Sequence, residues 1–407
     1  MPVLPLVDPA APALRRFALF EAGFRVFFLL ASLYAAVAIL DWVLAYSGLV
    51  QLPISVSPTL WHAHEMIFGF AAAGVAGFFL TAVPNWTGAP FVRGRPLMGL
   101  AAVWILGRVA MCLVGTVPPT LAAVADLAFL PLLASLIAPP LLKGGIGRNT
   151  VLLVVLAVLW LADLAMQAEF AGAALGIDSE SAARGARVGI DILAFLITVI
   201  GGRIVPAFTT TRLKLAGEGA LPRSFALLDR LTIAAMALLL AAELVSGNSR
   251  LTGAVALAAA LAQAVRLFHW RGLATTGIPI LWILHVGYAW LVLGLALKGA
   301  AAFIDALHET AALHALTVGA IGTMLMAVMS RAALGHTGRK IEAHPLTVAA
   351  YGLVSVAALL RVAAPLVPAT LPALMIVSGL AWSLAFALFL AVYAPILVRP
   401  RADSQPG

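Results

Sequence analysis

Charged residues are scarce in this chain. Asp, Glu, Lys and Arg make up only 10% of its 407 residues, whereas an ordinary soluble domain has about 25%. Hydrophobic residues make up 63%, so water cannot be the solvent around most of the chain. This composition excludes a soluble enzyme, a disordered regulator and a nucleic-acid-binding module, although the formal net charge is +8. It is typical of a polytopic membrane protein whose partner is the lipid bilayer.

Cysteine is almost absent. Cys112 is the one cysteine, and it lies within an apolar run. A disulfide framework is therefore excluded, and so is a Cys-x-x-Cys metal site. The sequence also has no phosphate-binding loop, and no stretch outside the apolar runs is long enough to form a soluble catalytic domain.

Long apolar runs are what the chain has in abundance. A span needs about 20 apolar residues to cross a hydrocarbon core of about 30 Å, and about twelve windows are long enough. The sequence therefore predicts an all-α fold with a single transmembrane bundle over 24–398, an N-terminal segment of 1–23 and a tail of 399–407. The predicted spans are 24–46, 59–83, 97–115, 120–141, 149–169, 187–206, 225–246, 251–268, 278–298, 310–330, 346–363 and 371–397.

The basic residues predict the orientation of these spans. Lys and Arg are retained on the cytoplasmic side of short loops. With the N-terminus inside, seventeen of the 25 basic residues fall on the inner side, five on the outer side and three within spans. We therefore expect both termini to be cytoplasmic.

One pair of opposite charges is predicted within the membrane. Arg108 lies near the outer end of the third span, and Asp126 lies near the outer start of the fourth. At about 1.5 Å per residue both are about 10 Å deep. Because charges inside a membrane are usually paired, we expect Arg108 and Asp126 to form a structural ion pair.

Four of the eight histidines share one level at the outer side. His62 and His64 open the second span, and His308 and His314 open the tenth, whereas His285 lies in the inner half of the ninth. A single such histidine is most simply a hydrogen-bonded interfacial residue, but four at one level favour a metal site. In a regular helix His62 and His64 point about 200° apart, so both cannot bind one metal ion unless the helix start is irregular.

The second and tenth spans resemble each other. A glycine follows His64 after five residues and a Thr-Gly pair follows after 23 and 24, and the same residues follow His314 at the same distances. Spans two, six and ten cross the membrane in the same direction and recur at every fourth span. This pattern indicates three four-helix units over about 24–141, 149–268 and 278–397. This plan is similar to the catalytic subunit of haem–copper oxidases. The sixth and seventh spans carry no histidine, however, so dioxygen reduction of that kind is not supported.

Seven motifs carry a closer resemblance, which covers nearly the whole chain in order. They are GFRVFF at 23–28, LWHAHEM at 60–66, TAVPNWTG at 81–88, GGRIVPAFT at 201–209, LHVGYAW at 284–290, HALTVG at 314–319 and LGHTGR at 334–339. In these motifs the chain resembles the NnrS family. The resemblance implies a bacterial inner-membrane protein that contains haem and copper. It also implies a role in denitrification, in nitric oxide metabolism or in protection from nitrosative stress, with nitric oxide or a metal–nitrosyl species as the partner.

Under that resemblance the histidines become candidate cofactor ligands. Because the sequence has no Cys-x-x-Cys-His motif, the haem would be held by coordination alone, as in b-type proteins. His64 and His314 are the first choice as axial haem ligands. The candidates for copper or another haem are His62, His285 and His308.

Three further residues have an expected role beside these histidines. Glu65 is placed to accept an N–H from a ligating histidine, or to favour its helix at the N-terminal dipole. Arg203 and Arg331, at the cytoplasmic ends of the sixth and tenth spans, either pair with haem propionates or anchor their spans at the membrane surface.

Two other functions stay open at the level of sequence. Twelve spans with internal repeats and buried acids are also the plan of a secondary transporter, here for a metal or a small solute. The third possible function is that of a sensor or an assembly partner that catalyses no reaction.

Overall fold

The computed structural model describes residues 17–143, 145, 147, 149–173 and 180–403. Within these ranges the protein contains twelve long helices and no strand. In chain order they are α1 (Gly23–Tyr46), α2 (Pro58–Thr87), α3 (Arg95–Cys112), α4 (Pro119–Leu142), α5 (Val151–Ala173), α6 (Ser181–Leu215), α7 (Ala226–Ser246), α8 (Arg250–Phe268), α9 (Pro279–Ala301), α10 (Glu309–His336), α11 (Pro345–Ala363) and α12 (Leu371–Val398).

Eleven of these helices are long and apolar enough to cross a membrane. The twelfth is α7, which carries Asp229, Arg230 and Glu243. The chain is therefore an all-α polytopic membrane protein, as the sequence predicts. We call the face where α1 ends and α2 begins the outer face, after the orientation expected from the basic residues.

Proline sets several of the helix starts. Pro58, Pro119, Pro279 and Pro345 each occupy the first turn of their helix, where a missing N–H costs nothing because that group has no partner within the helix. The helix bounds thus follow from local sequence.

Three helices lie at the centre of the bundle. The apolar parts of α2, α6 and α10 are the most deeply buried of the eleven spans. They meet through glycines: Gly74 of α2 faces Leu325 of α10, and Gly201 of α6 faces Met324. These are the second helices of the three predicted four-helix units. The boundaries of the repeats themselves stay a prediction.

Both α2 and α10 contain a π-helical segment at the same place. Glu65–Ala71 begins directly after His64, and Ala315–Gly322 begins directly after His314. Such wide turns are rare and occur frequently at functional sites. The equivalence of the two histidines, inferred from spacing alone, therefore has a counterpart in the backbone.

The first and last helices pack together and close the bundle. Arg25, which is buried in α1, donates hydrogen bonds to the carbonyl oxygens of Leu397 and Arg399 at 2.9 and 2.6 Å. Its charge therefore lies at the carboxyl end of α12, where the helix dipole is negative.

The contact between α8 and α9 depends on a glycine, and this gives a first testable prediction. A Cβ at Gly253 would lie 2.3 Å from the Cβ of Ala302 and 3.1 Å from the carbonyl oxygen of Gly299. Because none of these atoms can rotate away, Gly253→Ala is expected to destabilise the bundle by about 1–3 kcal/mol. Thermal unfolding of the purified protein in detergent measures this effect.

Gly352 provides the matched control. It also lies within a helix, but no atom within 4 Å would meet its Cβ. Gly352→Ala is expected to raise the stability slightly, because alanine favours the helix by about 1 kcal/mol. Equal effects of the two substitutions would contradict the close packing of α8 on α9.

Candidate metal centre near the outer face

His64 lies in a buried polar group formed by five helices of the bundle. Its side chain has no exposed surface, and the carboxylates beside it are almost fully buried as well. We call this group the outer cluster; its members are Tyr34 of α1, His64 and Glu65 of α2, Arg108 of α3, Asp126 of α4, and Asp163 and Gln167 of α5.

Both ring nitrogens of His64 have partners. Nδ1 is 2.7 Å from Oε1 of Glu65. Nε2 is 2.9 Å from Oδ2 of Asp126 and 3.0 Å from Oδ1 of Asp163. The carboxylate of Glu65 can only accept a hydrogen bond, so it holds a proton on Nδ1. The other nitrogen, Nε2, faces the two aspartates.

Glu65 is itself held in place from the other side. Arg108 donates hydrogen bonds to both of its carboxylate oxygens at 2.8 Å, and the hydroxyl of Tyr34 donates to Oε2. Arg108 also forms an ion pair with Asp126. The structure thus brings together the two charges that the sequence places at one depth, and it adds Glu65 as a second acceptor.

The charges of the outer cluster do not balance without a further positive charge. Three carboxylates and one guanidinium leave a net charge of about −2 if His64 is neutral. Gln167 donates a hydrogen bond of 2.6 Å to Oδ2 of Asp126, but an amide carries no charge. Because burying uncompensated charge is costly, a cation must lie near Nε2, and either a proton or a metal ion can fill that role.

The ligand atoms are spaced for one metal ion. One nitrogen of His64 and one oxygen each of Asp126 and Asp163 lie within 4.8 Å of one another. Two atoms that bind one ion at about 2.1 Å and at a right angle are about 3.0 Å apart, which matches the distances of 2.9 and 3.0 Å from Nε2. Among the described residues this is the one group of three such ligands that the structure brings together.

The surroundings of the outer cluster exclude water. The ring of Phe68 lies 5.1 Å from that of His64, and the ring of Phe170 lies 5.8 Å from it. Met111 contacts Gln167 through its sulfur at 3.4 Å. Charges in such a site interact strongly because little solvent screens them.

A second group of charges, most of them buried, lies near the same face, between α6, α7, α9 and the start of α10. Nζ of Lys298 is 2.6 Å from Oδ2 of Asp191 and 3.1 Å from Oε2 of Glu243. Nε of Arg187 is 2.7 Å from the other oxygen of Glu243 and 3.9 Å from Oε1 of Glu309. We call this group the lateral cluster. It contains no histidine and resembles a structural network more than a metal centre.

The other outer histidines lie apart from the outer cluster. His62 stacks on Trp42, with ring centroids 4.7 Å apart, so it and His64 point in different directions, as the helix geometry predicts. His314 donates from Nδ1 to the carbonyl oxygen of Thr310 at 2.7 Å. His62 and His314 are close enough for their charges to interact, and Arg361 is near both. His308 is exposed at the start of α10.

The remaining predicted site residues lie in the half of the bundle away from the outer face. Arg203 donates a hydrogen bond to Oδ1 of Asn149 at 3.0 Å. The guanidinium of Arg331 lies over the ring of Phe208 at 3.9 Å from its centroid. Nε2 of His285 is 3.0 Å from Oγ1 of Thr209. The structure therefore brings none of these three residues to His64.

Sequence reasoning missed part of the outer cluster. Asp163 is recognisable as an acid in an apolar helix, but nothing in the sequence pairs it with His64. Gln167 follows it by four residues, so both lie on one face of α5. That spacing is the feature of the sequence that could have placed Gln167 beside Asp163.

The fold and the outer cluster together define a class. This is a multi-pass helical membrane protein that carries a buried histidine–carboxylate centre near one face. Within that class, the family model described as NnrS protein matches residues 18–401, and the chain belongs to the NnrS family. No curated protein matches the chain.

Proposed function

We propose that this protein acts in the nitric oxide response of the bacterial inner membrane, with both termini in the cytoplasm. It would do so as a metal-containing protein whose metal ion is bound in the outer cluster. Membership of the NnrS family supports the nitric oxide response. The observation that carries the metal site is the convergence of His64, Asp126 and Asp163 on one buried point.

The donor set favours a first-row divalent ion. One imidazole with two carboxylates suits Fe²⁺, Mn²⁺ or Zn²⁺ better than Cu⁺, which prefers softer ligands. A divalent ion beside a neutral His64 also brings the net charge of the outer cluster to about zero. When bound, a ferrous ion with an open position would supply a place where nitric oxide can coordinate.

The protein's own residues prepare this site. Glu65 accepts the Nδ1 proton of His64, as carboxylates beside ligating histidines do. The lone pair of Nε2, which the amide nitrogen of Gln167 approaches to 3.0 Å, would then bind the metal ion. Arg108 compensates the charge of Glu65. Gln167 orients Asp126 by donating to one of its oxygens. The outer cluster is therefore preorganised before any ligand arrives.

Haem fits the outer cluster less well than a single metal ion does. Haem iron could bind His64 only if one ring nitrogen exchanged its carboxylate partner for iron. The pairing of His64 with His314 as axial ligands therefore stays a prediction without support from the contacts of His64. Copper at His62 or His308 likewise stays a proposal from the family resemblance.

A transporter is the second candidate function, and one observation favours it. Asp191, Glu243 and Lys298 are buried together, and buried ionisable residues in membrane helices often mark ion or proton pathways. Solute uptake by proteoliposomes that contain metal-free protein would favour transport over the metal-centred proposal.

The metal proposal predicts a specific loss in one variant. Asp163→Asn keeps the size of the side chain but removes one charged ligand, so the affinity for the metal ion is expected to fall at least about tenfold. The measurement is elemental analysis of the purified full-length protein after equilibration with Fe²⁺, Mn²⁺ or Zn²⁺. Cells that produce the variant are expected to lose protection against a nitric oxide donor.

Asp305 supplies the control for this experiment. It is an exposed carboxylate at the same face, so Asp305→Asn tests whether any acid near the outer face collects metal. We expect it to bind metal as the unmodified protein does. Wild-type protein that retains none of the three ions, or a variant Asp163→Asn that retains as much as wild type, would refute the proposed centre.

A further inference from the structure

An apolar cavity lies at the centre of the bundle, where α2, α6 and α10 meet beside Gly74 and Gly201. It measures about 570 Å³, including the part that is open to the surroundings. Every residue of its wall is Gly, Val, Leu, Ile, Met or Phe, so no side chain there carries a nitrogen or an oxygen atom. The cavity is therefore a different kind of site from the outer cluster.

The chemistry of the wall selects an uncharged, apolar occupant. A buried water molecule needs about two to four polar partners, so a cavity with such a wall stays dry and takes up apolar molecules such as xenon or benzene. An ion is excluded because nothing in the wall compensates its charge.

One side of the cavity opens toward lipid, and the other side is closed. Ile197 of α6 and Val328 of α10 are half-buried wall residues at the opening. Because Ile197 lies halfway along Ser181–Leu215, the opening faces the hydrocarbon core of the membrane. Leu193 and Met329, at the closed side, are only 2% and 0% exposed. An acyl chain, which is wider than a water molecule, does not reach that side, whereas the ordinary rotamer motions of side chains let a diatomic gas pass.

The cavity leads toward the outer cluster. Its outer end is at Leu193, one helical turn inward from Gly189. A Cβ at Gly189 would lie 3.0 Å from Cγ2 of Ile67 and 3.3 Å from Cζ of Phe68, so the missing side chain lets α6 lie directly against these two residues. The ring of Phe68 is in turn 5.1 Å from that of His64. The path from the cavity to His64 thus passes apolar side chains.

We propose that the cavity takes up nitric oxide from the hydrocarbon core of the membrane, and that the gas reaches the outer cluster past Phe68. Nitric oxide is small, uncharged and soluble in lipid, so it fits a dry cavity that opens within the membrane. The identity of the gas rests on the proposed function. The uptake of a small apolar gas rests on the cavity alone.

Xenon binding tests the cavity directly. Full-length protein with isotope-labelled methionine methyl groups, in phosphatidylcholine nanodiscs, is equilibrated with xenon and followed by nuclear magnetic resonance. We expect the methyl signals of Met324 and Met329, which line the cavity, to shift until the site is saturated. Met236, which is buried in α7, should not shift, and helium at the same pressure should shift no signal. Xenon shifts that appear in detergent but not in nanodiscs identify an acyl-chain site and overturn the proposal.

A variant that fills the opening tests the position of the site. Val328→Phe is expected to weaken xenon binding at least about fivefold, because the phenyl ring takes up space that xenon needs. Val356→Phe is the matched control, since it makes the same change on the exposed surface of α11, and it should bind xenon as wild type does. Ile197→Phe, at the same opening, takes the place of Val328→Phe if that variant does not fold. Equal xenon affinity in wild type and the folded filling variant overturns the proposal.

Nitric oxide kinetics test the passage to the outer cluster. In protein loaded with Fe²⁺, Val328→Phe is expected to slow the binding and the release of nitric oxide by the same factor. The Kd should not change, because the metal ligands are untouched. Rates equal to those of wild type overturn the passage. Protein that holds no Fe²⁺ counts against the proposed function instead, and the xenon measurements still decide whether the cavity takes up gas.

Discussion

Replacing Arg108 by leucine is expected to cause the largest loss of stability of any single substitution in this protein. Arg108 compensates both Glu65 and Asp126 in a place that water does not reach. Removing one partner of a buried ion pair typically costs about 3–5 kcal/mol, because it leaves charge buried without compensation. We expect a large fall in the thermal unfolding temperature in detergent and little folded protein in the membrane fraction.

A double variant tests the cause of that loss. Removing Asp126 as well deletes one of the carboxylates left buried without compensation, so Arg108→Leu with Asp126→Leu is expected to be less destabilised than the sum of the two single variants. Arg250→Leu is the control, because Arg250 is an exposed arginine near the same face, and it should unfold at the wild-type temperature. Single variants as stable as wild type would show that the pair does not support the fold.

Lys298→Met is expected to have the second-largest effect. The ammonium group of Lys298 contacts two carboxylates in the lateral cluster, at 2.6 and 3.1 Å, and its side chain is only 5% exposed. Methionine has nearly the same volume, so packing is kept while the positive charge is lost. We expect destabilisation of about 3–5 kcal/mol, since Asp191 and Glu243 are then left buried with less positive charge beside them. Thermal unfolding measures the change.

Lys340 is the control that separates the effect of burial from the effect of the ion pair itself. Its ammonium group is also 2.6 Å from a carboxylate, that of Glu342, but its side chain is 80% exposed. Lys340→Met is expected to change stability by no more than about 1 kcal/mol, because water screens an exposed pair. Adding Asp191→Asn to Lys298→Met should recover part of the lost stability. Equal effects at the two lysines would show that the lateral cluster is not held together by charge.

The two groups of buried charge have different compositions, and this bears on their roles. The lateral cluster has two cations, Arg187 and Lys298, against its carboxylates, whereas the outer cluster has one guanidinium against three carboxylates. The lateral cluster can be nearly neutral with the charges of the protein alone. The second needs a proton on His64 or a bound cation. This difference is why the proposed metal centre is placed in the outer cluster.

The sequence by itself determined the helices and their order. A backbone in hydrocarbon must satisfy its own hydrogen bonds, so apolar runs of sufficient length become helices. The predicted span of 371–397 and the helix Leu371–Val398 agree almost residue for residue. The facing of Arg108 and Asp126 also followed from depth alone, because rise per residue is a local quantity.

Only the tertiary structure decided which distant side chains meet. The helices are apolar on most of their surface, so their sequences say little about which face of each turns inward. Nothing local could bring Asp163 of α5 to His64 of α2, or Thr209 of α6 to His285 of α9. The π-helical segments after His64 and His314 further change the direction of each side chain from that of a regular helix. Lateral packing between helices sets these contacts, and packing depends on the shape of the whole bundle.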